Sequence, residues 1–261
     1  MKNRQSCFSP ATSTVCFTPQ AIQKVQPFPK TGRLAKNLNL PLAVLPTRLD
    51  GLRGSAVSYV VRTVRWNSKR HCFDQRGSAP NFQGGMLTLC TCKHQMRASQ
   101  SADDWKDIWI AGLTSRSIYD GRHWLFCLAR VKRAFESQSD LWNGMTGKVR
   151  EAKAARQHYL GDMFEPKRSG LACDARYSPS RYYTPSVHAH RRDHSDTGWH
   201  NDINYCHADR HDRQPPLLVA DPRLTFLWEE PIIFLNRNHC RDFFKWPSME
   251  ELLANLREAG R

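Results

Sequence analysis

The stretch from Thr184 to Pro216 concentrates side chains that bind metals or transfer protons. It contains six of the chain's eleven histidines, together with Cys206 and five aspartates. A zinc ion needs three or four nitrogen, sulfur or oxygen ligands that converge as a tetrahedron, often from fixed local spacings. The spacings here match no such signature, so we predict a His-rich loop without a metal. A metal site, a loop that serves the functional site and a solvated insertion all stay open.

The start of this loop offers the residues best suited to acid–base chemistry. His188 and His190 are two positions apart, so in an extended chain their side chains point to the same side. Asp162 follows a glycine in the segment "YLGDMF". A carboxylate and imidazoles can act together as general acid and base. Asp162, His188 and His190 are therefore the candidate catalytic residues, although a turn or helix cap explains Asp162 equally simply.

Two cations in the segment "CTCKHQMR" are candidates for binding phosphate. Lys93 and Arg97 lie just beyond a predicted strand, where a sheet commonly presents its ligands. An arginine grips a phosphate with a planar fork, and a lysine acts as a point charge. The alternative is a basic loop that only faces solvent.

Three further residues could bind a nucleic-acid base. The amide of Asn81 has both a donor and acceptors with which to read a base edge. Phe82 beside it could stack on the base, and the ring of Trp109 could form the floor of a base pocket. The alternatives are a simple turn at Asn81 and a core position for Trp109.

The composition favours a partner that carries phosphate groups. The formal net charge is +15 and the isoelectric point is about 9.7, which is the electrostatic footprint of a protein that binds a nucleotide, DNA or RNA. The apolar runs are too short to span a membrane. Nine scattered cysteines without paired C-x2-C motifs fit a cytoplasmic protein with reduced thiols. No cofactor motif is present, and nothing indicates an oligomeric state.

The first 55 residues differ from the rest of the chain. They contain eight Lys or Arg and a single acid, Asp50, and show no sustained periodicity. We predict a disordered basic arm over residues 1–55 and a folded domain over residues 56–261. An organellar presequence and a wrongly chosen start codon remain alternatives.

The folded part reads as strands followed by short helical segments. β-Branched and aromatic runs predict strands, namely Val57–Val64, Met86–Cys92, Asp107–Leu113, Trp124–Phe135, Pro215–Asp221 and Leu224–Phe234. A final helix is predicted from Ser248, which would cap it. Strands do not alternate with helices, so the fold class is α+β, with a mixed curled sheet or a small barrel.

The order of these motifs is similar to that of a known family. The segments that carry the similarity are "SYVVRT", "APNF", "TLCTCK", "DIWIAG" and "LFCLARV", followed by "YLGDMF", "VHAHRRDHS" and "PLLVADPRLTFLWEEP". Together they resemble the second of the nucleotide-modification-associated domain families, across roughly Ser58 to Phe234. The chain departs from the family pattern at Phe82, Met96 and Lys106, where the family has Pro, Arg and Gly.

The resemblance implies a fold and two functions. More distantly, the chain resembles the PUA, EVE and ASCH group of small barrels, which hold a base in a pocket. The first implied function is recognition of a nucleotide or modified base in nucleic-acid modification or restriction. The alternative is an enzyme, a transferase or hydrolase on nucleotides or nucleic acid, that uses Asp162, His188 and His190, with or without a metal.

Overall fold

The computed structural model describes residues 24–49, 53–186, 197–205, 214–239 and 242–260. In these ranges the strands are β1 (Ala56–Val61), β2 (Val64–Asn67), β3 (Cys72–Gln75), β4 (Thr88–Leu89), β5 (Trp109–Thr114), β6 (His123–Phe135), β7 (Leu217–Leu227), β8 (Ile233–Leu235), β9 (Phe243–Trp246) and β10 (Leu256–Glu258). The helices are α1 (Gly32–Ala35), α2 (Leu45–Arg48), α3 (His94–Arg97), α4 (Gln138–Asn143), α5 (Gly147–Lys153), α6 (His200–Ile203) and α7 (Met249–Ala254). None of these helices is long and apolar enough to cross a membrane.

One mixed sheet organises the described part of the chain. Its order is β10-β8-β6-β5-β1-β9, with β7 added beside β6 and β4 beside β7. β1 and β5 are parallel and the other pairs are antiparallel. The register between β6 and β7 shifts on both sides of Val131, and such bulges bend and twist a strand. The sheet curls into a half-barrel with flanking helices, so the predicted α+β class with a mixed curled sheet is confirmed.

The sheet is buried on both faces. Along β1, Tyr59 points into one hydrophobic cluster and Ala56 into the other. Along β5, Ile110 joins the first cluster, and Trp109 and Ala111 join the second. Because side chains alternate across a strand, burial on both sides requires apolar residues at almost every position. This explains why these segments read as continuous apolar runs.

Several element boundaries differ from the sequence prediction. A turn after Val61 divides the first predicted strand, and Cys72–Gln75, predicted as loop, pairs with β2 as a hairpin. The strand predicted over Pro215–Asp221 and the first part of the one predicted over Leu224–Phe234 form one continuous strand, β7. The end of the second predicted strand lies in β8, after a break at residues 228–232. Ser248 caps the last helix as predicted, since its hydroxyl accepts a hydrogen bond from Glu251 N at 3.2 Å. That helix ends at Ala254 and is followed by β10.

Residues 24–49 pack on the domain, which corrects the prediction of a disordered arm through residue 55. Leu34, Leu45 and Leu49 are buried in the core. Asn37 donates hydrogen bonds to two carbonyls of β7, at 3.1 and 3.2 Å. The segment has no sustained period because it follows the curved sheet as short turns instead of one long helix. Phe28 is also buried, so the folded unit includes this segment; residues 1–23 lie outside the described residues.

The parallel pairing of β1 and β5 brings their carboxyl ends to the same edge of the sheet. Val61 pairs with Thr114 at this edge. The chain continues from β1 into Arg62 and from β5 into a turn that contains Arg116. Ligand sites of sheet proteins commonly lie beyond the carboxyl ends of strands. Both sites described below lie at this edge.

Candidate functional site

A cleft of about 460 Å³ lies beyond the carboxyl end of β1. One wall is formed by Val61–Thr63 and another by residues 91–96, which lead from β4 into α3. Tyr205 and Phe243 contribute aromatic rings. The cleft therefore combines cationic, hydroxyl and aromatic groups, together with the Asp242 carboxylate, from separate segments of the chain.

Lys93 is the one residue of the predicted binding set that lines this cleft. Its backbone adopts the left-handed conformation, with φ 59°, immediately before α3. A non-glycine residue in this conformation is strained, and such strain is concentrated at functional sites. Burial lowers the pKa of the Lys93 ammonium, while the nearby Asp242 carboxylate raises it. The partly desolvated ammonium would bind an anion more strongly than a fully solvated one would.

A stacked pair of rings forms another side of the cleft. The imidazole of His94 lies 4.1 Å from the ring of Tyr205, centroid to centroid, with an interplanar angle of 11°. His94 Nε2 lies 3.0 Å from Oδ1 of the buried Asp202. The side chain of Gln214 accepts a hydrogen bond from Tyr205 N at 2.8 Å. These contacts hold the His94 ring and the backbone of Tyr205.

Arg97, predicted to bind phosphate, is buried and does not line the cleft. Its Nε donates to the carbonyl of Cys92 at 2.7 Å. One terminal nitrogen donates to the carbonyls of Pro215 and Pro216 at 3.1 and 2.8 Å. Only 1% of Arg97 is exposed, and burial lowers its pKa. The guanidinium ties α3 to the chain that enters β7, so Arg97 holds the segment that carries Lys93.

Asn81, predicted to read a base, belongs to a buried polar network. Its Nδ2 donates to the carbonyl of Leu160 at 2.9 Å. Its Oδ1 accepts from Lys153 Nζ at 2.7 Å and from Gln83 N at 3.0 Å. The structure thus turns this amide toward the protein interior.

Lys153 and Asp162 complete the same network through the hydroxyl of Thr88. Lys153 Nζ donates to Thr88 Oγ1 at 2.8 Å, and Thr88 Oγ1 donates to Asp162 Oδ2 at 2.7 Å. Lys153 and Asp162 are both fully buried. Burial lowers the pKa of Lys153 to about 8 and raises the pKa of Asp162, although each charge partly offsets the effect on the other.

Gly161 allows Asp162 to reach this position. A Cβ atom at Gly161 would lie 2.6 Å from the Ala155 Cα and 2.7 Å from the Lys153 carbonyl oxygen. Ala155 N bonds to the carbonyl of Met163 at 2.9 Å, so the two segments run in direct backbone contact. A side chain at position 161 would separate Asp162 from Lys153.

The two predicted aromatic residues lie in the core. Phe82 is 2% exposed and stacks on Phe28, with ring centroids 5.0 Å apart. Trp109 is also 2% exposed and packs in the cluster on the other face of the sheet from Phe82. Neither ring lines the cleft beside Lys93.

The candidate catalytic histidines His188 and His190 lie outside the described residues, as does much of the His-rich loop. The described chain stops at Ser186, whose backbone N donates to the carbonyl of Ala155 at 2.9 Å. Among the described residues, no three His, Cys, Asp or Glu side chains are placed to hold a metal ion.

Lys153, Arg62 and Tyr205 are the residues that the sequence analysis did not identify. Lys153 lies among charged residues in "KVREAKAAR", a pattern typical of a solvated helix face. One signal was available, because Lys153 follows the buried Val149 by four positions and so lies on the same face of the helix. Arg62 and Tyr205 reach the cleft only through the tertiary fold.

Comparison with known proteins adds no assignment. No family model, no curated protein and no solved structure matches the chain. The resemblance to the nucleotide-modification-associated domains therefore remains a prediction from the sequence motifs.

Proposed function

We propose that the chain recognises a nucleotide, or a modified base of DNA or RNA, in the cleft beside Lys93. The observation that supports this most directly is the combination of groups in one cleft of about 460 Å³. Lys93 and the exposed Arg62 offer positive charge, and the Tyr205–His94 stack offers a flat aromatic surface. A nucleotide presents the complementary pair, a phosphate and a planar base.

Within this proposal Lys93 contacts the phosphate and Tyr205 contacts the base. Stacking on an aromatic ring contributes about 1–3 kcal/mol per base. Asn81 and Arg97 act as positioning residues: Asn81 bonds to the carbonyl of Leu160, and Arg97 bonds to the carbonyl of Cys92, which directly precedes Lys93. The nearby Asp242 carboxylate would repel a second negative charge, which favours a ligand with few charges at that end of the cleft.

Two general properties agree with a nucleic-acid context. The net charge of +15 provides attraction to a polyanion. The sequence motifs resemble a family that is associated by context with modified nucleotides in nucleic acid, and the half-barrel sheet is compatible with a PUA-like arrangement. We propose the same modification or restriction context for this chain.

The test is equilibrium binding of the four 5′-mononucleotides and their nucleosides to the intact protein at low salt. Lys93→Gln should weaken binding of nucleotides about tenfold and leave nucleosides almost unaffected, because it removes a charged contact to phosphate. Tyr205→Ala should weaken both classes. Lys148→Gln, an exposed change on α5 away from the cleft, is the charge-matched control.

Two results would overturn the proposal. One is the absence of nucleotide and nucleic-acid binding by the intact protein. The other is an equal loss of affinity in Lys93→Gln and Lys148→Gln, which would show that binding depends only on the net charge of the protein. Turnover of the bound nucleotide would instead favour the enzyme alternative, with Asp162, His188 and His190 as the residues to substitute.

A further inference from the structure

A second site at the same edge of the sheet is lined by three arginines. It is a cavity of about 510 Å³ between the turn that joins β5 to β6 and the chain that follows β8. Its polar lining, among the described residues, comprises Arg116, Arg122, His123, Asn236, Arg237 and Asn238, and includes no carboxylate. Asp120 is the nearby acid, with Oδ2 3.6 Å from Arg122 Nε. The site is therefore strongly positive.

Each arginine is held in place by contacts with the protein. Arg116 Nε donates to the carbonyl of Gly121 at 2.7 Å, and one terminal nitrogen donates to Asn238 Oδ1 at 2.9 Å. The guanidinium of Arg122 lies 4.5 Å from the ring centroid of Phe234. That of Arg237 lies 4.7 Å from the ring centroid of Phe244.

Stacking of this kind favours the binding of an oxyanion. A guanidinium that stacks on a ring uses its flat face, so the N–H groups around its edge remain directed outward. The cation–π contact also restricts the side chain before the anion binds, so less conformational entropy is lost on binding. Arg122 and Arg237 are therefore pre-positioned donors and not freely moving surface arginines.

The arginine site and the cleft are connected through one short piece of chain. Asn238 lines the arginine site and Asp242 lines the cleft, and both belong to the connection from β8 to β9. Between them His239 Nε2 lies 2.9 Å from the hydroxyl of the buried Ser58 on β1. This contact holds His239 against β1.

We propose that Arg116, Arg122 and Arg237 bind a backbone phosphate of a nucleic-acid strand, outside the nucleotide held in the cleft. The inference rests on the proposed function for the identity of the ligand. Its chemistry is that of a phosphodiester, which an arginine can contact through two parallel hydrogen bonds. A free phosphate group has similar chemistry, so the experiment separates the two sources.

The experiment compares the variant Arg122→Gln/Arg237→Gln with the control Arg33→Gln/Arg168→Gln, which removes two exposed arginines elsewhere. Binding of a short single-stranded oligonucleotide, of one mononucleotide and of inorganic phosphate is measured for each. We expect oligonucleotide affinity to fall at least about tenfold only in the first variant, with a shallower salt dependence by about one phosphate contact. Mononucleotide affinity should not change.

The remaining outcomes decide against the proposal. Equal loss in the control pair would mean that only net charge matters. Loss of mononucleotide affinity in the first variant would assign the arginines to the phosphate of the nucleotide in the cleft. Strong binding of inorganic phosphate by the wild type alone, with unchanged oligonucleotide affinity, would assign them to a free anion.

The two proposals fail in different ways. If the wild type binds oligonucleotide with an affinity that Lys93→Gln lowers no more than Lys148→Gln does, the cleft proposal fails, and the arginine variants still report on the second site. Unchanged urea unfolding of the variants confirms that they fold. The double substitution is conservative for folding because the replaced side chains are exposed.

Discussion

Lys153 Nζ lies 2.7 Å from Asn81 Oδ1, and both side chains are fully buried. The same ammonium also donates to the Asn81 carbonyl at 2.9 Å and to Thr88 Oγ1 at 2.8 Å. All three of its donors are therefore satisfied by neutral acceptors, with Asp162 as the next charge. This lysine joins the end of α5 to β4 and to the loop before it, and these elements support the segment that carries Lys93.

Substitution of Lys153 should destabilise the fold strongly. Lys153→Met leaves Asp162 without its cation and removes one donor from each of three buried acceptors, Asn81 Oδ1, the Asn81 carbonyl and Thr88 Oγ1, so we expect a loss of at least about 3 kcal/mol. The measurement is the midpoint of urea unfolding. Lys148→Met on the exposed side of the same helix should change stability by less than about 0.5 kcal/mol. A small effect of Lys153→Met would show that the network contributes no net stability.

The contribution of Lys153 to stability should rise in alkaline solution. Its pKa is about 8 in the folded protein, against an ordinary value of 10.5. Between these values the unfolded chain holds a proton that the folded chain has released, so the free energy of unfolding increases with pH. Below pH 8 both states are protonated and this contribution is absent.

The pH effect is measured as a difference between two proteins. Burial raises the pKa of the Cys90 and Cys127 thiols. These thiols therefore lower the free energy of unfolding as the pH rises above the ordinary pKa of a thiol. Because they are present in both proteins, they cancel when wild type is compared with Lys153→Met. The stability difference should grow by about 2 kcal/mol from about pH 7 to about pH 9.5. A difference that stays constant would contradict the lowered pKa.

Removal of the Phe28 ring should show that residues 24–49 belong to the fold. Phe28 is 5% exposed and stacks on Phe82, so Phe28→Ala should cost about 3–4 kcal/mol. Lys36→Ala, an exposed change in the same segment, should be almost neutral. The two are compared by thermal or urea unfolding. A neutral Phe28→Ala would support the disordered arm that the sequence predicts.

Cysteine reactivity should follow burial. The thiolate is the reactive form, and burial raises the pKa of Cys127 to about 12. Cys90 is equally buried, whereas Cys173 is exposed. Brief alkylation of the native protein near neutral pH should label Cys173 and leave Cys90 and Cys127 unlabelled until urea is added. Peptide mass spectrometry reads each site separately, and early labelling of Cys127 would contradict the packing around it.

Local pattern and total charge were sufficient to predict several features from the sequence alone. The apolar runs that became β5 and β6 were predicted to within two residues at each end, because burial on both faces requires apolar residues throughout. Ser248 was identified as a helix cap from its position alone, and its hydroxyl bonds to Glu251 N. The net charge of +15 is a property of composition.

The burial of some polar residues, and the exposure of others in the cleft, depends on contacts between distant parts of the chain. Lys153 and Asn81 are 72 positions apart, and Arg97 and Pro215 are 118 apart. Residues 24–49 gain their order from a sheet formed later in the chain. A lysine, arginine or asparagine in a polar segment has the same local pattern whether solvent or protein satisfies its hydrogen bonds. Which of the two applies depends on distant residues, since burial of a polar group is tolerated only where the fold supplies its partners.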